Sequence, residues 1–220
     1  MDRVQMKLKS KNQIRGKLGM LFLCLFIILV ICTVLGVIPF VGWIGLLLLA
    51  PALGAGYYGI YLNVARDVEP QAKDLFKYIN YFLKALGLFV LTELIVLAGC
   101  ILLLVPGIIL AFALSQVMYI FADNPDMKIM DIISTSMSMM KGHKFDFFVL
   151  ELSFLGWLIL GSLTFHILTF AYVIPYYTTT TANFYLNLKD KYIGQMSNST
   201  ESPSPSSTQE NSDDTPWEIK

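Results

Sequence analysis

Two glutamates inside otherwise apolar stretches are the residues of this chain best suited to chemistry. Glu93 lies within residues 85–105, and Glu151 lies within residues 145–171. A charged, unpaired carboxylate inside hydrocarbon is costly, so such a group is usually neutral, paired or beside a water-filled cavity. The two side chains therefore predict either a proton or cation site or a protonated carboxyl bonded between helices. The second interpretation is favoured, and both stay open.

Polar partners for these glutamates must come from other segments of the chain. The candidate intramembrane polar site consists of Glu93, Glu151, Gln116, Thr178, Thr181 and Asn183. A second set is expected where the apolar segments end, as contacts to lipid or between loops. Its members are Asn63, Arg66, Asp123, Lys141, His143 and Lys144. Within it, Asn63 and Arg66 are expected to bind either lipid phosphates or Asp123 and Asp126.

Catalytic, metal and cofactor signatures are missing from the sequence. It contains no HExxH, no GxSxG and no glycine-rich phosphate loop. Cys24, Cys32 and Cys100 all lie inside apolar runs, without metal-type spacing to His143 or His166. Buried small hydrophobes are the simpler interpretation of these cysteines. We therefore expect neither an enzyme nor a cofactor or metal site.

The composition is that of a membrane protein. Of the 220 residues, 55% are hydrophobic and 15% are charged, whereas soluble domains carry about 25% charged residues. The net charge is zero, which argues against nucleic acid as a partner. Membrane lipids are the expected partners, together with other membrane proteins or a second copy of the chain.

The elements that must position these residues are helices, so we predict an all-α polytopic bundle of about six transmembrane helices in three hairpins. A basic N-terminus covers residues 1–16, and the transmembrane domain covers residues 17–195. The first apolar run exceeds the length of a signal-peptide core, so it is read as a retained helix. The crossings are predicted at 17–38, 43–65, 85–105, 107–122, 145–171 and 175–188.

Three further predictions concern the parts between and after the crossings. Amphipathic helices at 70–84 and 125–141 are expected to lie on the membrane surface, the second stopping at Gly142. Tyr57, Tyr58 and Tyr61 suit anchoring at the membrane interface. Residues 196–220, which are acidic and rich in serine and proline, are expected to be disordered.

The distribution of basic residues predicts the orientation. The turns at Pro39, Pro106 and Pro175 contain no lysine or arginine, whereas the N-terminus and the other loops carry many. The positive-inside rule therefore places both termini and both surface helices in the cytoplasm. Six crossings satisfy this arrangement, and so do four crossings with one re-entrant hairpin, which we consider the weaker solution.

Several motifs resemble the domain-of-unknown-function 975 family of bacterial integral membrane proteins. They are GIYLNVAR at 59–66, PGII at 106–109, YIFADNP at 119–125, SMSMMKGHK at 136–144, LSFLGW at 152–157, PY at 175–176 and TANFY at 181–185. The resemblance implies a multi-pass protein of the bacterial plasma membrane. It implies no activity, since the family is defined without one.

Two functions follow from these patterns. The first is a non-enzymatic membrane protein that acts through lipid or protein partners in envelope maintenance or protection. The alternative is a small transporter or channel with a polar path near Glu93, Glu151 and the threonine-rich last helix. The alternative requires both carboxylates and residues 178–181 to line a single cavity.

Overall fold

The described part of the chain consists of helices joined by short turns. A computed structural model describes residues 3–163 and 169–200, and no β-strand occurs within these ranges. The α-helices are α1 (Arg3–Ile14), α2 (Leu18–Val37), α3 (Val41–Ala65), α4 (Phe82–Leu102), α5 (Leu104–Leu114), α6 (Val117–Asp123), α7 (Ile129–Met139), α8 (Lys144–Leu163) and α9 (Ile174–Thr200). Two 3-10 turns, Ala72–Phe76 and Ile79–Tyr81, precede α4, and a π-helical turn, Thr169–Val173, precedes α9.

Four helical stretches of the described residues are long and apolar enough to cross a membrane. They are Leu18–Val37, Val41–Ala65, Ala72–Leu102 and Leu104–Asp123. The prediction of an all-α protein with several long apolar helices is thereby confirmed.

Helix α3 lies at the centre of the bundle. It packs against α2, α4, α6 and α9, and α9 in turn packs against α1. The small residues Ala52, Ala55 and Gly56 of α3 are buried, which allows neighbouring backbones to approach closely. At Gly56 an added Cβ would lie only 2.1 Å from the carbonyl oxygen of Leu75. This helix therefore holds the first 3-10 turn against the bundle.

The hairpin between α4 and α5 turns three residues earlier than predicted. Leu103, rather than Pro106, breaks the helices, and Pro106 lies in the first turn of α5. Proline is tolerated there because the first backbone N–H groups of a helix have no intrahelical partner. A Cβ on Gly107 would lie 2.3 Å from the Sγ of Cys100. Close packing of α4 on α5 at Gly107 therefore accounts for the PG pair.

The segment predicted as a surface helix at 70–84 differs from the expectation. It forms two 3-10 turns, and the α-helix begins only at Phe82. Tyr78 of this segment is buried, and its hydroxyl donates to the carbonyl of Ala122. These long-range contacts override the local helical periodicity.

The second predicted surface helix is shorter than expected at its start. Helix α7 begins at Ile129 rather than at 125, because residues 122–126 are held by other segments through their side chains and carbonyls. After α7, Gly142 has a φ of +82°, which is the left-handed stop that the sequence predicted.

The last hairpin also differs from the prediction. The turn was expected at Pro175, but the described residues are helical from Thr169 through Thr200, and Pro175 lies within this helix. The π-helical turn before Ile174 gives room to the Pro175 ring, which would clash with a regular preceding turn. Residues 164–168, which include His166, lie outside the described residues. The predicted disordered tail at 196–220 does so from residue 201 onward, and α9 continues to Thr200.

Candidate functional site

Asp123 is the centre of the densest charged contact in the described structure. Its Oδ1 lies 2.6 Å from Nη2 of Arg66, and its Oδ2 lies 2.7 Å from Nζ of Lys189. The Tyr185 hydroxyl also donates to Oδ2, at 2.9 Å. The Asp123 side chain is only 8% exposed. We call the end of the bundle that holds Arg66, Asp123 and Lys189 the charged end.

The loop after Asp123 is fixed by groups from the 3-10 turns and the start of α4. Tyr78 donates to the carbonyl of Ala122, and Lys84 donates to the carbonyl of Pro125. Tyr81 donates to Oδ1 of Asp126 at 2.9 Å. The C-terminal ends of α3 and α6, the start of α4 and the middle of α9 thus all contact residues 122–126 at the charged end.

A second polar junction joins the two ends of the chain, and sequence reasoning missed it. Asn183 of α9 donates from Nδ2 to Oε1 of Gln13 at 2.7 Å and to Oγ of Ser10 at 3.1 Å. Gln13 also donates to the carbonyl of Ala65 at 2.9 Å. Asn183, Ser10 and Gln13 are buried. The basic N-terminus is therefore a docked helix, and the polar residues of that helix were the available signal.

Lys7 brings α1 to α8 as well. Its Nζ donates to Oγ of Ser153 and lies 4.9 Å from the centre of the Phe154 ring. Burial lowers the pKa of Lys7, because the apolar surroundings disfavour its charged form. The Phe154 ring face offers a cation–π contact in compensation.

The tyrosines predicted as interfacial anchors form contacts between helices: Tyr61 is buried, and Tyr57 and Tyr58 are half-buried. Tyr61 is 1% exposed. The rings of Tyr57 and Tyr61 are 4.7 Å apart, and those of Tyr58 and Tyr119 are 4.8 Å apart. Tyr119 also donates to the carbonyl of Thr178 at 3.1 Å. Tyrosine suits both settings, since an apolar ring with one polar atom fits an interface or a helix contact.

Glu151 faces a cavity that is bounded by α5, α6, α8 and α9. Its Oε1 accepts a hydrogen bond from the Tyr177 hydroxyl at 2.5 Å. The cavity has a volume of about 510 Å³, and Thr181 and Tyr119 are among the residues that line it. Here the structure brings together two predicted site residues, Glu151 and Thr181.

Glu93 faces a different cavity. It lines a space of about 610 Å³ between α3, α4 and the junction of α5 with α6. Tyr58, Ala111 and Ser115 border both cavities, so the two carboxylates lie in neighbouring spaces rather than in one.

Besides Asn183, which bonds to α1, the other intramembrane candidates are Thr178, Thr181 and Gln116, and they bond to groups close to them in sequence. The hydroxyls of Thr178 and Thr181 donate to the carbonyls of Ile174 and Tyr177. Thr178 also shares a 3.3 Å contact with the Tyr57 hydroxyl. Gln116 is fully buried between α5 and α6, and its amide donates to Oγ of Ser115. None of these three contacts either glutamate through a hydrogen bond in the described residues.

The interfacial candidates fall into two groups. Arg66 and Asp123 form the ion pair described above, and Asn63 donates to Oδ2 of Asp74 at 3.4 Å. His143 lies 3.3 Å from the carboxylate of Asp146. Lys141 and Lys144, by contrast, line a shallow cavity between α7 and α8 and form no ion pair with a described residue.

Metal ligands do not cluster within the described residues, since no group of three His, Cys, Asp or Glu side chains converges there. The cysteines Cys24, Cys32 and Cys100 are unpaired thiols.

A family model agrees with the resemblance seen in the sequence. The model DUF975, described as a protein of unknown function, matches residues 94–192. The matched stretch contains Asp123, Glu151 and Lys189, while Arg66 precedes it and Glu93 lies one residue before it. No curated protein and no solved structure matches the chain.

Proposed function

We propose that this chain, whose residues 94–192 belong to the DUF975 family, is a non-enzymatic protein of the bacterial plasma membrane. It crosses the membrane six times, has both termini in the cytoplasm and acts through anionic lipids in envelope maintenance or protection. The described residues supply four candidate crossings. Helices α8 and α9 with the preceding π-helical turn provide the other two, and the positive-inside rule supports the orientation.

The observation that carries the lipid proposal is the turn between α7 and α8. Lys141 and Lys144 line a cavity of about 610 Å³ together with Ser138, Met137 and Phe145. Phe145 is 72% exposed and Met137 is 42% exposed. Two lysines without an ionic partner attract a lipid phosphate, and exposed apolar side chains beside them suit the start of the acyl chains.

The transporter alternative has less support. It requires one cavity for both carboxylates and residues 178–181, and the described residues form two cavities with one carboxylate each. The hydroxyls of Thr178, Thr180 and Thr181 donate to backbone carbonyls of their own helix. A continuous polar path would leave such groups turned toward water instead.

Lipid retention in nanodiscs tests the proposal. The full-length protein and its K141Q/K144Q variant would be reconstituted with mixed phosphatidylglycerol and phosphatidylcholine, and retained lipid measured by native mass spectrometry. A basic residue near anionic lipid contributes about 1 kcal/mol, so the two lysines together contribute about 2 kcal/mol. The variant should therefore bind phosphatidylglycerol roughly thirtyfold more weakly.

K128Q/K191Q is the matched control, because it removes two exposed lysines that do not line this cavity. It should retain phosphatidylglycerol like the unchanged protein. Equal losses in both variants would show that only total charge matters, and no preference for the anionic lipid would refute the proposal. In cells, a deletion strain screened against ions, drugs and membrane-active peptides identifies the protective role, which E151Q should still complement.

A further inference from the structure

Glu93 is a carboxylate within a candidate membrane span, and it has no partner among the described residues. It lies in the middle of α4, on a stretch long and apolar enough to span a membrane. Its side chain is exposed, and it forms no hydrogen bond or ion pair with a described residue. Glu151 differs, because the Tyr177 hydroxyl donates to it. An unpaired carboxylate next to hydrocarbon has a high free energy, so a bound cation at Glu93 would be stabilising.

The cavity beside Glu93 has the size and lining of a ligand site. Its volume of about 610 Å³ falls within the roughly 300–1,000 Å³ of small-molecule sites. Most of its wall is apolar, including Pro51, Phe89 and Val96. Phe89 is also exposed at 40%, so the space between α3 and α4 is reached from the lipid side. A ligand that enters here must be soluble in the bilayer.

Three polar groups in this cavity lack a hydrogen-bond partner among the described residues. Besides Glu93, the Oγ1 of Thr92 is buried without a hydrogen bond, and the Tyr58 hydroxyl donates to no described residue. Buried polar atoms are nearly always satisfied by protein, water or ligand. One carboxylate, two hydroxyls and two aromatic rings form a set that suits a positive charge carried on apolar groups.

We propose that the cavity between α3, α4 and α5 binds a lipophilic organic cation from the bilayer, with Glu93 as its counter-ion. The cation offsets the cost of placing the carboxylate in hydrocarbon, and the rings of Tyr58 and Phe89 contact its apolar part. Charge complementarity distinguishes this occupant from a neutral lipid chain. This site does not include the lysine pair at residues 141 and 144, so the proposed cation site can be tested independently of the proposed lipid site.

A pair of ions with similar shape and opposite charge tests the site. Saturable binding of radiolabelled tetraphenylphosphonium would be measured for the full-length protein in phosphatidylcholine nanodiscs, with empty nanodiscs as background. Tetraphenylborate serves as the anionic competitor. The protein should bind the phosphonium saturably, and the borate should compete at least about tenfold more weakly, since the cavity offers a negative charge and no positive one.

Three variants assign the binding to Glu93. Glu93→Gln should weaken phosphonium binding about tenfold or more and remove the preference over borate. Glu93→Asp keeps the charge and should restore most of the affinity. Glu151→Gln, which removes the carboxylate of the neighbouring cavity, should leave binding unchanged. Because Glu93 is exposed and unbonded, E93Q should melt and elute like the unchanged protein.

Four results would overturn the proposal. They are the absence of saturable phosphonium binding, equal binding of the borate, unchanged affinity in E93Q, and an equal loss in E151Q. A stable dimer that binds no phosphonium and dissociates in E93Q would show that a second copy of the chain, rather than a cation, covers this face.

Discussion

Replacement of Asp123 by asparagine is expected to destabilise the charged end far more than the same change at Asp126. Asp123 is 8% exposed and lies 2.6 Å from Arg66 and 2.7 Å from Lys189. Asp126 is exposed and accepts one hydrogen bond, from Tyr81. The two substitutions remove the same charge from the same loop, so their difference isolates the ion-pair contacts.

The magnitude follows from the partners of each carboxylate. A hydrogen bond to a charged group contributes about 1.5–3 kcal/mol. In D123N, Lys189, which is 20% exposed, loses its ion pair with Asp123, whereas Arg66 at 37% exposure regains hydration more easily. We expect D123N to lower the free energy of unfolding by about 2–3 kcal/mol. D126N should cost less than about 1 kcal/mol, since it weakens one exposed hydrogen bond.

Equilibrium unfolding in mixed micelles of a mild detergent and dodecyl sulfate measures both values. A double-mutant cycle with Lys189→Gln should give a coupling energy of about 1–2 kcal/mol, because D123N has already broken the ion pair that the second substitution removes. Equal effects of D123N and D126N, or additive effects in the cycle, would refute the assignment of this ion pair as the element that holds the loop.

Two further predictions concern packing. Gly56→Ala should destabilise the protein by about 1–3 kcal/mol, because its Cβ would lie 2.1 Å from a backbone oxygen of Leu75. Gly54→Ala in the same helix meets open space and should be neutral or stabilising by up to about 1 kcal/mol; equal unfolding midpoints would contradict this. Asn183→Ala should loosen α1 and speed trypsin cleavage at the lysines of α1 about tenfold. Asn187→Ala, at a nearby exposed residue, should leave the cleavage rate unchanged. Unchanged cleavage in N183A would show that the junction is not needed for docking of α1.

The apolar helices and their stop signals could be predicted because they depend on local sequence. Residues 17–38 and 43–65 closely match α2 and α3, since length and hydropathy are read directly from each run. Gly142 could be predicted as a helix stop for the same reason. The Arg66–Asp123 contact was foreseen as one of two options, because both residues follow apolar runs that end on the same side.

Features that depend on distant partners could not be predicted. The tyrosines at 57, 58 and 61 carry no local signal that separates an interface from a helix contact. The turn at Pro175 was misplaced because the wider π-helical geometry before it leaves no mark in composition. Glu93 and Glu151 line separate cavities because of how α4 and α8 are rotated about their axes. The sequence indicates only how far each glutamate lies from the ends of its apolar run.

The junction of Asn183 with Ser10 and Gln13 has a consequence for synthesis of the chain. Helix α1 is made first, yet its partner in α9 lies 170 residues later. During translation its buried polar groups must therefore remain hydrated or bound elsewhere until the last helix is inserted. Contacts of such long sequence separation form late. The insertion of α9 also brings Lys189 to Asp123, so both polar junctions are completed at the same step, and a chain truncated before residue 183 would hold the first helix only through its contacts with α3 and α8.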